Sequence, residues 1–279
     1  MARKVRPRTF CTGTPANMSS DRPDIVRERS GVLRIWRRRD VPVADVRAVL
    51  HQDGVVLKEG QKNITRRVGP VVVKTSQGSF LRELARHTLR RSRYQQGWRA
   101  ALHLAAHGVP APRPVAHVEW GALGIVTKHA TILEFLPDCM DVEHFADRIL
   151  AESNGPEMLH VYLATLAASI NQLISAGAIH TDLAGKNILT RDGRTFYFID
   201  LDGILLGAAY TLQRRFAAHV QLYDSFLDRC GDEHLAPFLR AMIPDTEPFD
   251  AWLQRVKLSQ LKRRARTIVA SARATPAAR

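Results

Sequence analysis

The chain has 279 residues, 45% of them hydrophobic, and its 41 lysine and arginine residues outnumber its 27 acidic residues to give a formal net charge of +14. This length and composition suit one sizeable hydrophobic core or two adjoining ones. The three cysteines, Cys11, Cys139 and Cys230, are odd in number and lack C-x-x-C spacing, so neither a disulfide framework nor a zinc site is indicated.

The positive charge lies at the two ends of the chain. Residues 1–40 carry a net charge of +7 and residues 251–279 carry +8, which leaves about −1 for the middle. Clusters such as Arg37-Arg38-Arg39 and Lys262-Arg263-Arg264 gain about 1 kcal/mol per basic residue near an anionic membrane. Nucleic acid attracts such clusters in the same way. Because neither tail interleaves aromatic residues that would stack on bases, an anionic membrane surface is favoured over nucleic acid as the partner.

The first 40 residues are predicted to be a basic, unstructured tail. Their start mixes Arg, Pro, Ser and Asp without an apolar period. It also has no continuous apolar run of the kind found in a secretion signal, so we expect a cytoplasmic protein.

The chain after this tail is predicted to form a small lobe of β-strands. Val55–Lys58 and Thr65–Val68 are β-prone runs that we expect to pair around the loop Glu59–Asn63, which contains Gly60 and is able to lie over phosphates. With a single glycine, the loop also suits the commoner case of a solvated basic hairpin tip. Val71–Lys74 is a further β-branched strand, and it ends in a lysine.

The longest charge-free run, Met158–Thr181, is predicted to be a helix buried on one side. Its larger apolar residues recur at helical spacing as one stripe, and polar residues such as Thr165 and Asn171 interrupt the rest. A membrane-spanning helix would be apolar all round. We expect this helix to end at Gly177 and to deliver His180 to the loop that follows.

The most informative stretch is His180-Thr181-Asp182-Leu183-Ala184-Gly185-Lys186-Asn187, followed by Asp200-Leu201-Asp202. Between the two halves, Asn187–Thr190 and Thr195–Ile199 are short apolar runs separated by a turn signal, which predicts a β-hairpin. A hairpin returns the chain to its starting end, so we expect Asn187 beside Asp200.

An amide and a carboxylate placed together suit Mg²⁺, which prefers a few oxygen ligands together with substrate phosphates. Asp182 lies five residues before Asn187, in the loop that is expected to face the same metal. The sequence therefore predicts a phosphoryl-transfer centre.

The C-terminal stretch Phe249–Ala272 has apolar residues at mostly helical spacing, with lysine and arginine between them. Two interpretations fit the part before Lys262. One is an interfacial helix that lies on a membrane, and the other is a terminal helix that closes the second lobe and exposes its charges to water. Beyond Ala270 the composition favours an unstructured end.

The loop from His180 to Asn187, with Asp200 at the D-F-G position, resembles the catalytic core of the protein-kinase-like fold. This resemblance implies an α+β, bilobal fold with a small, mostly antiparallel β N-lobe and a mainly helical C-lobe. It implies that ATP and Mg²⁺ are used, with Asp182 as the catalytic base and with Asn187 and Asp200 as the metal ligands. Lys186 either stabilises charge on the moving phosphoryl group or points into solvent.

The same resemblance implies nucleotide contacts in the N-lobe. Lys74 would meet the α and β phosphates beneath the loop at Gly60, and the backbone of Glu134 and Leu136 would form the hinge that binds adenine. The expected division is residues 1–40 as the tail, 41–133 as the nucleotide-binding N-lobe, 134–255 as the catalytic C-lobe and 256–279 as a basic C-terminal helix or tail.

The chain also resembles the bacterial lipopolysaccharide core kinases, which phosphorylate heptose or Kdo (3-deoxy-manno-octulosonic acid). The resemblance spans roughly residues 55 to 205. It implies a sugar hydroxyl of a membrane-bound glycolipid as acceptor, with the basic tails at the inner face of the inner membrane. Its segments are Leu57-Lys58 with Thr65-Arg66-Arg67-Val68, the helix from Ser92 with its exit Gly108-Val109-Pro110-Ala111-Pro112, and the catalytic hairpin.

One residue departs from this family's pattern. The family usually has a glutamate before the helix tryptophan to pair with the strand lysine, whereas Gly97 precedes Trp98 here. Glu83, Gln95 and Gln96 are the candidate replacements. The departure keeps open a non-catalytic, kinase-like binding module, and the acceptor alternatives are a protein Ser/Thr side chain and a small soluble alcohol.

Overall fold

The computed structural model describes residues 24–60, 63–77, 95–122, 125–243 and 247–274. The chain divides into two compact units. The first consists of Met1–Arg91 and Arg113–Phe135, and the second consists of Ser92–Pro112 and Leu136–Arg279.

The first unit is built on a seven-stranded sheet in which every neighbouring pair is antiparallel. The elements are β1 (Ile25–Ser30), β2 (Leu33–Arg38), helix α1 (Val43–His51), β3 (Val55–Glu59), β4 (Asn63–Val68), β5 (Val71–Gln77), β6 (Pro114–Ala122) and β7 (Ile125–Glu134). The strand order is β1-β2-β6-β7-β5-β4-β3.

The core of the first unit lies on one face of this sheet, against α1. Successive side chains of a strand point to opposite faces, so Val71 and Val73 of β5 are buried while Val72 between them is less so. Val46 of α1 packs into the same cluster. The predicted strands before Lys74 are therefore confirmed, and they form one edge of the sheet.

The expectation of an unstructured tail over residues 1–40 is wrong for Ile25–Arg38, which forms the hairpin of β1 and β2. The reason is that this basic stretch has both an apolar anchor and local acidic partners. Ile35 is buried in the sheet core, Arg37 Nε donates to Glu28 at 2.8 Å, and Arg34 pairs with Glu119 at 3.2 Å. Residues 1–23 lie outside the described part of the chain.

The second unit is mainly helical. Its helices are α2 (Gln96–Ala106), α3 (Val142–Leu150), α4 (Gly155–Ser175), α5 (Leu212–Phe226), α6 (Asp232–Arg240) and α7 (Phe249–Ala274). Its strands are β8 (Met140–Asp141), β9 (Ala178–His180), β10 (Ile188–Thr190), β11 (Phe196–Phe198) and β12 (Ile204–Leu206). They form two small sheets, one ordered β11-β10-β8 and the other β12-β9.

Helix α4 is the helix predicted from the charge-free run. It buries one stripe in the core of the second unit and ends just before Gly177, whose φ of +71° suits the end of a helix. By length and composition α4 passes the test for a membrane-spanning helix, a weak criterion that core helices also pass. The buried stripe comprises Leu159, Tyr162, Leu163, Leu166, Ala167, Ile170 and Leu173.

Helix α7 continues through the expected boundary at residues 255 and 256, and it extends to Ala274, past the point where we expected order to end. Its first half is anchored by Trp252 and Val256, which are buried. Trp252 Nε1 also donates to His219 Nδ1 of α5 at 3.0 Å. This half of α7 therefore packs on the second unit, as a terminal helix would.

Candidate active site

The predicted β-hairpin is present. β10 and β11 pair antiparallel, with Ile188 opposite Phe198, and the N–H of Ile199 donates to the carbonyl of Asn187 at 2.9 Å. At the turn, Asp192 Oδ1 accepts the N–H groups of the residues at 194 and 195 at 2.9 and 2.8 Å. Asn187 and Asp200 therefore lie at the same end of the hairpin.

Asp182 and Asn187 are in direct contact. Asn187 Nδ2 donates to the carbonyl oxygen of Asp182 at 2.8 Å and to its carboxylate Oδ2 at 2.9 Å. Asn187 is 8% exposed. Within the described ranges no hydrogen bond reaches Asn187 Oδ1, so the amide nitrogen fixes the loop and the amide oxygen remains as a possible ligand.

His180 braces this loop through two hydrogen bonds. Its Nε2–H donates to the carbonyl of Ile199 at 2.8 Å, and its Nδ1 accepts the N–H of Asp182 at 3.2 Å. Burial lowers the pKa of His180, and this effect is opposed by the Ile199 carbonyl and by the negative charges of Asp200 and Asp182. The neutral ring thus ties the catalytic loop to the end of the hairpin, and both carboxylates lie near it.

Asp200 has an uncommon backbone conformation. Its φ and ψ of 55° and 51° are left-handed, a region that costs a non-glycine residue roughly 1–3 kcal/mol. A single 3₁₀ turn, Leu201–Gly203, follows, and the N–H of Gly203 donates to the carbonyl of Asp200 at 3.0 Å. Gly203 in turn accepts the N–H of Thr181 at 2.9 Å. Neighbouring segments therefore hold a strained conformation that exposes the Asp200 side chain.

The floor of the catalytic loop is made by residues that sequence reasoning missed. Glu143 Oε1 accepts the N–H of Lys186 at 3.2 Å, and Ser225 Oγ accepts the N–H of Gly185 at 2.9 Å. A Cβ on Gly185 would lie 2.5 Å from Glu143 Cγ, so the approach requires glycine. Arg229 pairs with Glu143 at 3.5 Å. No local signal marks these partners, because they come from α3, α5 and the segment after α5.

The side chain of Lys186 is exposed. Its backbone is fixed by Glu143, whereas no ion pair involves its ammonium group within the part of the chain that the structure describes. A role of Lys186 in stabilising the phosphoryl group stays a prediction, and a solvated lysine stays the alternative.

A family model of the lipopolysaccharide kinase (Kdo/WaaP) family matches residues 51–208, more than half of the chain. The chain belongs to this family. The matched range agrees with the resemblance seen in the sequence, and it identifies the protein as a kinase of lipopolysaccharide biosynthesis.

A solved structure, "WaaP in complex with acyl carrier protein", has a similar fold, with a TM-score of 0.60 and 20% sequence identity. The alignment covers 78% of this chain and 92% of that chain. It confirms the α+β, protein-kinase-like fold. No curated protein sequence matches the chain.

The oxygen donors of this lipopolysaccharide kinase fit Mg²⁺ brought in with a nucleotide. Within the described residues, no group of three or more His, Cys, Asp or Glu side chains could hold a metal ion. The loop and hairpin instead offer the amide oxygen of Asn187 and the carboxylate of Asp200. Mg²⁺ is commonly held by one or two carboxylates, waters and substrate phosphates, so this small donor set suits a metal that arrives on ATP.

The nucleotide-binding residues implied for the N-lobe belong mainly to the first unit. Lys74 lies on β5 opposite Thr65 and Thr131. Gly60 follows β3, and its N–H donates to the carbonyl of Asn63 at 2.8 Å. They are therefore placed on the predicted strand and loop, and their role in ATP binding stays a prediction.

The backbone N–H groups of the predicted hinge differ in whether they already donate to a carbonyl. The N–H groups of Glu134 and Phe135 donate to the carbonyls of Arg113 and Pro70 at 2.9 and 2.8 Å. The Glu134 carboxylate binds Arg113 at 2.6 Å. Among the described residues, the N–H of Leu136 donates to no backbone carbonyl. The role of this segment in binding adenine stays a prediction.

Of the three replacements considered for the family's helix glutamate, two are described. Gln96 Nε2 donates to the carbonyl of Ile204 at 2.9 Å. Gln95 Oε1 accepts from Arg99 at 3.4 Å. Glu83 lies outside the described residues.

Proposed function

We propose that this lipopolysaccharide kinase transfers the γ-phosphoryl group of ATP, with Mg²⁺, to a hydroxyl of a heptose or Kdo sugar in the lipopolysaccharide core. The contact between Asp182 and Asn187, at the end of the hairpin that presents Asp200, carries the proposal. It places a proton acceptor and two candidate oxygen donors for a metal at one end of the hairpin.

Asp182 is suited to align and deprotonate the acceptor. One carboxylate oxygen, Oδ2, is held by Asn187, which leaves Oδ1 for the attacking hydroxyl. As the bond from the sugar oxygen to the γ-phosphorus forms, the bond from that phosphorus to the β,γ-bridging oxygen breaks, ADP leaves, and the hydroxyl proton passes to Asp182. Mg²⁺, when bound, neutralises charge on the phosphates.

The acceptor is tested directly by mass spectrometry. Purified protein, ATP and Mg²⁺ are incubated with core glycolipid, and we expect a mass gain of one phosphate that disappears when EDTA removes the metal. Phosphorylation of added proteins or of a small alcohol, with glycolipid unchanged, would contradict the acceptor. A protein that binds no ATP by calorimetry in the presence of Mg²⁺ would instead be the non-catalytic module.

We propose further that the enzyme works at the cytoplasmic face of an anionic membrane, which it meets through the outer face of α7. Four large apolar side chains of this helix are 50–69% exposed. With 100° per residue, they lie on the side opposite the buried Trp252 and Val256. We call them the outer stripe of α7: Leu258, Leu261, Ile268 and Val269.

The charges beside the outer stripe complement an anionic leaflet. On the inner side of the helix, Arg264 is held by Asp224 and Asp228 at 2.7 and 2.8 Å. By contrast, Lys262 and Arg266 are exposed and form no ion pair within the described residues. An exposed apolar stripe flanked by unpaired cations is the pattern of an interfacial helix.

We expect replacement of Lys262 and Arg266 by glutamine to weaken binding to vesicles that contain phosphatidylglycerol by about 30-fold, since each basic residue contributes about 1 kcal/mol near the surface. Replacing Leu261 and Ile268 by serine should also weaken binding. Vesicle sedimentation measures both effects. The matched control is Val161→Ser on α4, an equally exposed apolar residue at 65%.

Unchanged vesicle binding by the double variants would contradict this membrane surface. Acyl carrier protein, the partner in the solved WaaP complex, is the alternative occupant. Binding of that protein to the outer stripe in preference to vesicles would replace the membrane proposal.

A further inference from the structure

The N-terminal turn of α2 lies against the turn that follows Asp200. Gly97, the second residue of α2, is buried. A Cβ on Gly97 would fall on Asp202 Oδ1, with Asp202 Cγ at 3.2 Å and the Asp202 backbone nitrogen at 3.3 Å. The carboxylate of Asp202 therefore occupies the space that a side chain at position 97 would need.

The electrostatics of this position favour a carboxylate. The first turn of a helix has unpaired N–H groups and a partial positive charge. Helix α2 has no acidic residue in its first turn and no side-chain cap. The negative charge that suits this helix end is instead supplied by Asp202, from another part of the chain.

A second contact ties the same two segments together. Gln96 Nε2 donates to the carbonyl of Ile204 at 2.9 Å. The 3₁₀ turn Leu201–Gly203 is thus held against α2 on both sides, by Asp202 within it and by Ile204 just after it. Asp200, in its left-handed conformation, is the residue directly before this turn.

We propose that Asp202 is a positioning residue, whose carboxylate, seated against Gly97 on the first turn of α2, holds the turn that presents Asp200. A strained backbone conformation persists only where its surroundings determine it. The contact between the Asp202 carboxylate and Gly97 is part of those surroundings. This inference rests on the proposed function in one respect, which is that Asp200 binds the metal carried by the nucleotide.

Two substitutions remove the contact between Asp202 and Gly97 in different ways. Asp202→Ala deletes the carboxylate. Gly97→Ala places a methyl group where Oδ1 lies, and because Oδ1 is the end of a flexible side chain, the carboxylate can rotate away without unfolding. Alanine also favours the helix over glycine by up to about 1 kcal/mol, so we expect the Gly97→Ala protein to remain folded.

The first measurement needs neither substrate nor metal. Hydrogen exchange of residues 200–206 in the free protein should become about tenfold faster or more in each variant, and the double variant should be no faster than the faster single variant, because both changes break one contact. Glu157→Ala, which removes an exposed carboxylate from α4, is the control and should exchange like the parent protein. Unchanged exchange in Asp202→Ala would overturn the proposal, as would effects that multiply in the double variant.

The second measurement tests whether the contact between Asp202 and Gly97 affects metal binding by Asp200. The Mg²⁺ concentration for half-maximal phosphoryl transfer should rise about tenfold in both variants, with a smaller effect at saturating Mg²⁺. A loss of rate that Mg²⁺ does not restore would overturn the positioning role. If the parent protein transfers no phosphate, the proposed function fails, yet the exchange result still decides whether Asp202 holds the turn.

Discussion

We expect the replacement of Asp182 by asparagine to lower the rate of phosphoryl transfer by about 1,000-fold, because a proton acceptor contributes between about 10² and 10⁴. The substitution is nearly isosteric. An asparagine oxygen can still accept from Asn187 Nδ2, so the 2.9 Å contact of the loop can persist. The loss would therefore report the charge and basicity of Asp182 and not a collapsed loop.

Asp200→Asn tests the metal site in parallel, and we expect a loss of similar size because the exposed carboxylate is replaced by a weaker metal ligand. Single-turnover rates with ATP and core glycolipid measure both variants. Glu157→Gln, an exposed carboxylate on α4, is the matched control and should retain the parent rate. Transfer at more than a tenth of the parent rate by Asp182→Asn would remove this residue from the mechanism.

The parts of the site that could be predicted from sequence are those determined by near neighbours in the chain. The hairpin between Asn187 and Asp200 follows from two β-prone runs and a turn at Asp192, whose carboxylate bonds its own loop. Helix α4 follows from one apolar stripe, since burial on one side imposes a helical period. These signals are local, so a single sequence contains them.

The remaining parts depend on contacts between distant segments. Glu143 and Ser225 fix the catalytic loop from 43 and 40 residues away, and neither has a neighbour in sequence that marks this role. Likewise, the sequence shows only that a glutamate is missing at Gly97, whereas the structure shows that the carboxylate of Asp202 lies where a side chain at this position would be. The first hairpin was missed because its arginines suggested a solvated tail, whereas Glu28 and Glu119 neutralise two of them.

We expect acid to destabilise this protein through His219, which links α5 to α7. Its Nδ1 accepts from Trp252 Nε1 at 3.0 Å, so the ring proton is on Nε2, which is buried without a hydrogen-bond partner in the described residues. A second proton would have to enter at Nδ1, against the indole N–H. Burial, with the positive charge of Arg215, lowers the pKa of His219 from 6.5 to about 3.

The direction of the pH effect follows from which state binds the proton. Between about pH 6.5 and pH 3 the unfolded chain binds a proton at His219 and the folded protein does not. The titration of His219 should therefore leave the free energy of unfolding unchanged above pH 6.5. Below pH 6.5 it should lower that free energy by about 1.4 kcal/mol per pH unit. Two pH units below 6.5 then cost about 2.7 kcal/mol, a large part of a typical domain's stability.

His219→Gln separates this titration from the hydrogen bond, because a glutamine oxygen can accept from Trp252 and does not titrate. At pH 8 we expect the variant to be less stable by about 1 kcal/mol, and its urea midpoint should fall less steeply than that of the parent as pH drops from 6.5 to 4.5. The control is His160→Gln on the exposed side of α4, which should leave the slope unchanged. Equal slopes for the parent and His219→Gln would show that His219 is not the source of the acid sensitivity, because the variant lacks this titrating group.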